Sequence, residues 1–205
     1  EDAVEGYTTE VSGHNITNSY TPGQTSVGVT KSWQDANNQD GKRPQSVTIK
    51  LLADGTDTGK TLVLTQTNNW TGTFADLDEY KAGNLIVYTV VEETVGAGYT
   101  TAITGDHATG YLVTNSRTPE LISVSGAKTW NDADNQDGKR PTSITIRLFN
   151  GTSEVGTRTV TAADGWAWSF TDLPKFEAGT EITYTITEDA VEGYTTEVSG
   201  HNITN

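Results

Sequence analysis

The 205-residue chain contains no cysteine and no methionine, and it has only five prolines. Without cysteine, no disulfide can stabilise the fold. A secreted domain of ordinary size then needs a well-packed core or another source of stability. No apolar run is long enough to cross a bilayer, so we expect no membrane insertion.

Basic residues are also scarce. The chain has 13 Lys and Arg against 27 Asp and Glu, which gives a formal net charge of −14 and a pI near 4.4. A nucleic-acid partner is excluded, because phosphate backbones are neutralised by Lys and Arg. An anionic membrane surface is disfavoured for the same reason. An acidic surface suits a protein that must stay soluble in a crowded extracellular setting.

The most informative feature present is an internal repeat. KSWQDANNQDGKRPQSVTIK at 31–50 returns as KTWNDADNQDGKRPTSITIR at 128–147, and residues 1–18 are identical to residues 188–205. The repeat predicts three parts: residues 1–20 as the C-terminal strands of a preceding repeat plus a linker, 21–118 as a first domain, and 119–205 as a second. Each full copy has a length suited to one compact domain.

Both copies have the pattern of β-strands. Val47, Ile49 and Leu51 alternate with polar residues, and the same alternation returns at 144–148. Gly, Asn and Asp cluster between these runs, as turns require. No segment has the periodicity of an amphipathic helix. Many short strands separated by turns predict an all-β protein built from sandwiches.

Three polar residues recur inside these strand patterns. A lysine lies near the start of each copy, a glutamate late in it and an asparagine at its end. They are Lys31, Glu92 and Asn115 in the first copy, and Lys128, Glu188 and Asn205 in the second. Lone residues of these types at strand ends are usually solvated surface groups, but the double recurrence favours a shared role.

The combination resembles a known family. Lys-x-Trp early, Tyr-x-[Val/Ile]-x-Glu late, [Ile/Val]-Thr-Asn at the end and the loop DGKRP are similar to the B-type repeats of collagen adhesins and Gram-positive pilins, the CnaB-type domains. The resemblance implies two tandem reverse-immunoglobulin-like (prealbumin-like) sandwiches in which the first and last strands are neighbours. It also implies a self-formed isopeptide bond in each copy, Lys31 to Asn115 and Lys128 to Asn205, with Glu92 and Glu188 as the assisting acids.

The chemistry of these residue types agrees with that implication. A lysine amine is a poor nucleophile at neutral pH, but burial disfavours its charged form and favours a neutral carboxyl. A neutral amine can then attack the asparagine carbonyl while the glutamate transfers protons. Each domain would react once, so we expect no enzyme in the turnover sense.

Several other residues have more than one interpretation. By register from Tyr88 and Tyr184, Glu92 matches Glu188, and we expect Glu93 to be exposed. Trp33 and Trp130 are interpreted as shields over the lysines or as covers of the sandwich end, and a carbohydrate-stacking role is disfavoured. Trp70, Trp166 and Trp168 are interpreted as core or strand-face residues. The loops QDANNQDG and NDADNQDG lack calcium-loop spacing and are interpreted as turns. We expect no metal and no cofactor.

The leading functional hypothesis is a structural spacer in a cell-wall-anchored surface adhesin, outside the cell. Its partners would be neighbouring repeats of the same chain, and host extracellular matrix would be reached through a head domain outside these residues. The alternative is a module that itself binds host matrix, although the sequence marks no binding patch. A hydrolase with paired carboxylates is disfavoured, because the acidic residues fall mostly in turns and no catalytic histidine is evident.

Overall fold

The computed structural model describes residues 1–205 as an all-β protein. Its only helical segments are two short 3₁₀ turns, Gln66–Asn68 and Ala162–Asp164. The fold class predicted from the sequence is therefore confirmed. No helix in the structure is both long and apolar enough to cross a membrane.

Twenty strands follow one another along the chain. Those of residues 1–117 are β1 (Thr8–Ser12), β2 (Asn15–Ser19), β3 (Gln24–Gln34), β4 (Ser46–Ala53), β5 (Thr56–Thr65), β6 (Thr71–Asp78), β7 (Tyr80–Lys81), β8 (Asn84–Leu85), β9 (Tyr88–Glu92), β10 (Thr100–Asp106) and β11 (Gly110–Ser116). The remainder are β12 (Leu121–Thr129), β13 (Ser143–Asn150), β14 (Ser153–Thr161), β15 (Ala167–Pro174), β16 (Phe176–Glu177), β17 (Thr180–Glu181), β18 (Tyr184–Glu188), β19 (Glu197–Ser199) and β20 (Asn202–Thr204).

The chain divides into two compact units. The first contains Glu1–Gln34 and Arg43–Arg117, and the second contains Asp35–Lys42 and Thr118–Asn205. In the first unit, β1 and β2 form a separate antiparallel hairpin whose residues are all exposed. The linker expected after this hairpin is short, because Gln24 and Thr25 already pair with β6 as the start of β3.

The sandwich of the first unit packs two sheets around one core. One sheet has the order β10-β11-β3-β6 and the other β5-β4-β9. Strands β3 and β11, the first and last of the repeat, run parallel side by side. The fully buried aliphatic residues between the sheets include Val27, Ile49, Leu51, Leu64 and Val113.

The second unit repeats this architecture. Its sheets have the orders β15-β12-β20-β19 and β14-β13-β18, and β12 lies parallel to β20. Its core is centred on Ile146, Leu148, Val160 and Ile203. Adjacent first and last strands in both units confirm the sandwich topology that the family resemblance implied.

The alternation in the sequence has its expected effect on burial. Val47, Ile49 and Leu51 on β4 are buried, while the residues between them are partly exposed. Successive side chains of a strand point to opposite faces of the sheet. The same rule turns Lys31 inward, because it follows Val27 and Val29 at intervals of two on β3.

The two Asp-rich loops form turns, as their composition predicts. Ala133, Asp134 and Asn135 in succession have positive φ, and so do Ala36, Asn37 and Asn38. Asn and Asp tolerate this left-handed conformation better than most residues, because their short polar side chains bond locally. In the second loop the carboxylate of Asp132 accepts from the backbone N–H of Asn135, three residues further on, at 3.0 Å.

Candidate cross-linking sites

In the first unit, strand register brings three of the predicted residues together. On the parallel pair, Lys31 lies beside Val113 and Asn115 lies two residues further along β11 on the same face. Glu92 comes from the facing sheet, where it ends β9 opposite Ile49 of β4. The lysine and asparagine therefore belong to one sheet, and the glutamate reaches them across the interior of the sandwich.

In this site the carboxyl contacts the lysine directly but makes no direct hydrogen bond to the asparagine. Lys31 Nζ lies 3.5 Å from Glu92 Oε1 and donates to the carbonyl oxygens of Ser32 and Val113 at 3.1 and 3.3 Å. Asn115 Nδ2 is buried without a hydrogen-bond partner. An unpaired buried amide is costly, so this nitrogen is an unsatisfied polar atom of the site.

The second unit builds the same site with shorter contacts. Lys128 lies beside Ile203 on the parallel pair, and Asn205 follows two residues later. Glu188 ends β18 opposite Ile146. Its Oε1 lies 2.5 Å from Lys128 Nζ, and its Oε2 accepts from Asn205 Nδ2 at 2.9 Å. One carboxyl group thus contacts both the amine and the amide nitrogen.

Burial is nearly complete in both sites. The side chains of Lys31 and Lys128 are 0% exposed, and those of Glu92 and Glu188 are 1% and 0% exposed. Loss of hydration lowers the pKa of Lys128 below its ordinary value, and this effect outweighs the opposing hydrogen bond and charge of Glu188. Burial therefore moves the amine toward the uncharged form that can act as a nucleophile.

Aromatic side chains form one wall of each site. Lys31 Nζ lies 4.2 Å from the ring centre of Trp33, and Trp33 makes edge contacts with Trp70 and Tyr99, both at 5.2 Å. The second unit repeats this wall with Lys128 4.7 Å from Trp130, beside Trp166 and Tyr194. The wall keeps water away from the amine.

This wall is larger than the sequence predicted. Trp33 and Trp130 lie over the lysines as expected, and Trp168 is a core residue. Trp70 and Trp166 pack against the cores as expected and also form part of the walls. Each follows a 3₁₀ turn in the left-handed conformation, and its carbonyl accepts from the backbone N–H of the lysine at 2.8 Å. The arginine of each DGKRP loop, Arg43 or Arg140, lies 5.4 Å from its tryptophan ring.

Two threonines near the carboxyl groups were not identified from the sequence. Thr101 Oγ1 lies 2.7 Å from Glu92 Oε2 and 3.0 Å from Asn115 Oδ1. Thr196 Oγ1 donates to Glu188 Oε2 at 3.0 Å. The recurring triplet Tyr-Thr-Thr, which supplies both the wall tyrosine and this threonine, was the available signal.

The remaining expectations concern residues outside the sites. Glu93 is exposed and pairs with Lys50 at 3.1 Å, so Glu92 is the carboxyl that faces the lysine. The carboxylate of Asp132 is occupied by Arg140 at 2.6 and 2.9 Å. No three His, Asp or Glu side chains converge as metal ligands.

Comparison with known proteins places the chain in a family. The Cna protein B-type domain family matches residues 27–116 and 124–205. A collagen adhesin of Staphylococcus aureus is 49% identical over 205 residues, which is 100% of this chain and 17% of that protein.

Two solved structures from the S. aureus collagen-binding protein are also similar. The crystal structure of its two B repeat units B1B2 has a TM-score of 0.83 and 48% identity, covering 100% of this chain and 55% of that one. A single B repeat unit is 38% identical over 89% of this chain and 97% of that one, with a TM-score of 0.43. The chain belongs to the Cna protein B-type domain family and contains two tandem copies of its fold.

Proposed function

We propose that the chain is a covalently stabilised spacer of a bacterial surface adhesin, in which each domain joins its own lysine to its own asparagine. The bonds would be Lys31–Asn115 and Lys128–Asn205. The observation that carries the proposal is the double contact of Glu188, which touches the amine of Lys128 at 2.5 Å and the amide nitrogen of Asn205 at 2.9 Å. A single carboxyl in that place can serve both the nucleophile and the leaving group.

The reaction begins with a proton transfer. In a site without water, a lysine and a glutamate carry least charge when the proton rests on the carboxyl. The neutral amine then attacks Cγ of the asparagine, and a tetrahedral centre forms. The carboxyl gives its proton to Nδ2 and takes one from Nζ. The Cγ–Nδ2 bond breaks, ammonia leaves, and the glutamate is left protonated, as it was when the amine attacked.

The fold supplies most of the rate enhancement. Parallel pairing holds the lysine and the asparagine two residues apart on one face of the sheet. The fold therefore places the amine and the amide next to each other before the reaction begins. Holding two reactants in contact can lower a barrier by about 7–11 kcal/mol. The aromatic wall excludes water, which would hydrate the ammonium and favour its charged form. The core that keeps water from the amine therefore also favours its uncharged, nucleophilic form.

The location of the bonds supports a mechanical role. Each bond would join the first strand of a sandwich to its last strand, near the points where the chain enters and leaves the domain. Tension would then pass through covalent bonds and not through the hydrogen bonds between β3 and β11. A cross-link over a loop this long adds about 4–5 kcal/mol if it acts as a disulfide does. That contribution would replace the missing disulfides.

The setting of the spacer is also a proposal. The related S. aureus protein is a collagen adhesin, and this chain spans 17% of it. We place the chain outside the cell, in a wall-anchored protein whose contact with host extracellular matrix would be made by a separate head domain. Neighbouring repeats of the same chain are the expected partners. No catalytic turnover is expected.

Intact mass spectrometry with paired glutamate variants tests the cross-links. The wild-type chain should be lighter than its sequence mass by two ammonias, one for each bond. The E92Q variant should lose one ammonia only, because glutamine cannot transfer the proton and such transfer contributes about 10²–10⁴-fold in rate. E188Q should abolish the other bond, and peptide mapping identifies which bond is absent.

Neighbouring acids provide the matched controls. E93Q and D189N remove one negative charge from the adjacent, exposed position in each copy, and both should retain two bonds. A wild-type chain at its full sequence mass would refute the proposal. E93Q acting like E92Q would assign the effect to charge and not to the carboxyl in the site.

A further inference from the structure

The threonine hydroxyl in each site lies opposite the reactive asparagine. Thr101 pairs with Asn115 across the β10–β11 hairpin. In the second unit, Glu197 pairs with Thr204, so Thr196 is next in register to Asn205. Directly opposite residues of an antiparallel pair project to the same side of the sheet with their Cβ atoms in close proximity. The hairpin therefore delivers a hydroxyl to the amide.

The N-terminal hairpin shows the same pairing in a third copy. Thr9 lies opposite Asn18 and donates to its Oδ1 at 2.7 Å, while Asn18 Nδ2 donates to Glu1 Oε1 at 2.9 Å. This hairpin has no lysine and no sandwich around it, and all its residues are exposed. The threonine–asparagine–glutamate arrangement thus forms without the core of a domain.

The pairing is also independent of hairpin length. Asn18 lies nine positions after Thr9, whereas Asn115 lies fourteen positions after Thr101. The longer hairpin keeps the same residue opposite the asparagine. The connecting loops differ in length, yet a threonine lies opposite the asparagine in both hairpins. The position of the hydroxyl is therefore set by its pairing with the asparagine and not by the length of the turn.

The chemistry of the hydroxyl suits the step at the amide. A hydroxyl donates one hydrogen bond and can accept others. Thr101 Oγ1 can therefore accept from protonated Glu92 at 2.7 Å while it donates to Asn115 Oδ1 at 3.0 Å. Negative charge develops on Oδ1 when the amine attacks, and a donor already aimed at that oxygen stabilises the transition state.

We propose that Thr101 is a catalytic residue of the first cross-link, donating to Asn115 Oδ1 as the tetrahedral centre forms, and that Thr196 positions the carboxyl of Glu188 in the second. The inference rests on the proposed function and adds a fourth residue to each site. The threonine keeps its own proton throughout. It contributes a hydrogen bond, and the proton transfers remain with the glutamate.

Substitution of Thr101 tests the role in the full chain. The chain is made by cell-free synthesis, samples are quenched in denaturant over time, and intact mass with peptide mapping follows each bond. T101V removes the hydroxyl at nearly constant volume and should slow the first bond by about tenfold to a hundredfold, since loss of one such donor costs up to about 10³-fold in known cases. Formation of the Lys128–Asn205 bond in the same molecules is the internal reference and should keep its wild-type rate.

Two further variants separate chemistry from packing. T101S restores the hydroxyl and should restore most of the rate. T104V changes the same residue type on the same exposed strand, opposite Leu112 and away from the site, and should react as the wild type does. Folding is compared in the N115A background, where T101V should leave the melting temperature unchanged.

The outcomes are distinct. A wild-type rate of first-bond formation in T101V overturns the inference and leaves the proposed function intact. A slow T101V that serine does not restore, or that melts lower in the N115A background, also overturns it, because lost packing then explains the delay. A wild-type chain that loses no ammonia refutes the proposed function itself.

Discussion

The buried lysine is the residue on which the sites depend. An ammonium ion without water is costly. In the second unit the structure offers the amine of Lys128 one carboxyl and an aromatic wall. Breaking such a buried pair by removing one partner commonly costs about 3–5 kcal/mol. Conversion of the amine to an amide would remove the charge altogether. The proposed cross-link would therefore remove the free-energy cost of burying the charged amine.

The pH dependence of stability follows from the lowered pKa of Lys128. In N205A, which cannot form the second bond, the lysine stays titratable. The unfolded chain holds its proton up to the ordinary value of 10.5, whereas the folded chain releases it at a lower pH. Between the two values the unfolded state binds more protons, so the free energy of unfolding should rise as the pH increases toward 10.5. Urea unfolding at several pH values measures this slope.

A second variant separates the contribution of Lys128 to the pH dependence from that of other titrating groups. K128M/N205A lacks the buried amine of the second site, and it should lack this rise. Burial raises the pKa values of Tyr184 and Tyr194, but both tyrosines are present in the two variants and cancel in their difference. Parallel pH profiles for the two variants would contradict the prediction.

At the scale of the element, the parallel pair of first and last strands decides the geometry. Lys128 is placed beside Ile203 by the pairing of β12 with β20. A shift by one residue would turn Lys128 or Asn205 to the opposite face. The proposed Lys128–Asn205 bond also requires the backbones of β12 and β20 to lie close together. Gly126, two residues before the lysine, lies where this approach is tightest.

An alanine at Gly126 should disturb the pair. Its Cβ would overlap the carbonyl oxygen of His201 and lie 2.8 Å from Cζ2 of Trp168. We expect G126A to destabilise the second domain by about 1–3 kcal/mol, as overpacked sites do, and to slow formation of the second bond. Thermal unfolding and intact mass measure the two effects.

Gly28 on β3 is the matched control. A Cβ there would meet no atom within 4 Å, so G28A should change stability by less than about 0.5 kcal/mol. If G126A and G28A lowered the free energy of unfolding equally, the effect would come from strand propensity. It would then not come from the close packing of β20 against β12.

At the scale of the molecule, the two units of the acidic chain share one arrangement of strands and buried residues. Both units place the first strand beside the last and bury a lysine between the sheets. Two cross-linked domains in series would form a segment that extends little under load. A net charge of −14 favours solubility in a crowded extracellular setting.

Single-molecule stretching tests this mechanical role. The wild-type chain should show no unfolding step for either domain below the force that ruptures covalent bonds, because tension bypasses the loop closed by each bond. E92Q/E188Q should show two unfolding steps. The control E93Q/D189N should behave as the wild type does, and unfolding steps of full length in the wild type would contradict the prediction.

Much of this protein is determined by local sequence. The alternation around Val47, Ile49 and Leu51 specifies buried strands, because side chains alternate across a sheet whatever its partners. The repeat identified two modules and made Lys31, Glu92 and Asn115 candidates, since the same three residue types return at the same places.

Other features were decided by the tertiary structure alone. Which side chains meet depends on register and on how the two sheets pack, and neither is written in a local pattern. Glu92 reaches Lys31 from the opposite sheet, and Thr101 reaches Asn115 only because of the pairing of β10 with β11. Trp70 turns to the lysine through a left-handed backbone after a 3₁₀ turn. Contacts between distant strands form only when the chain closes on itself, so the roles of Thr101 and Trp70 required the folded molecule.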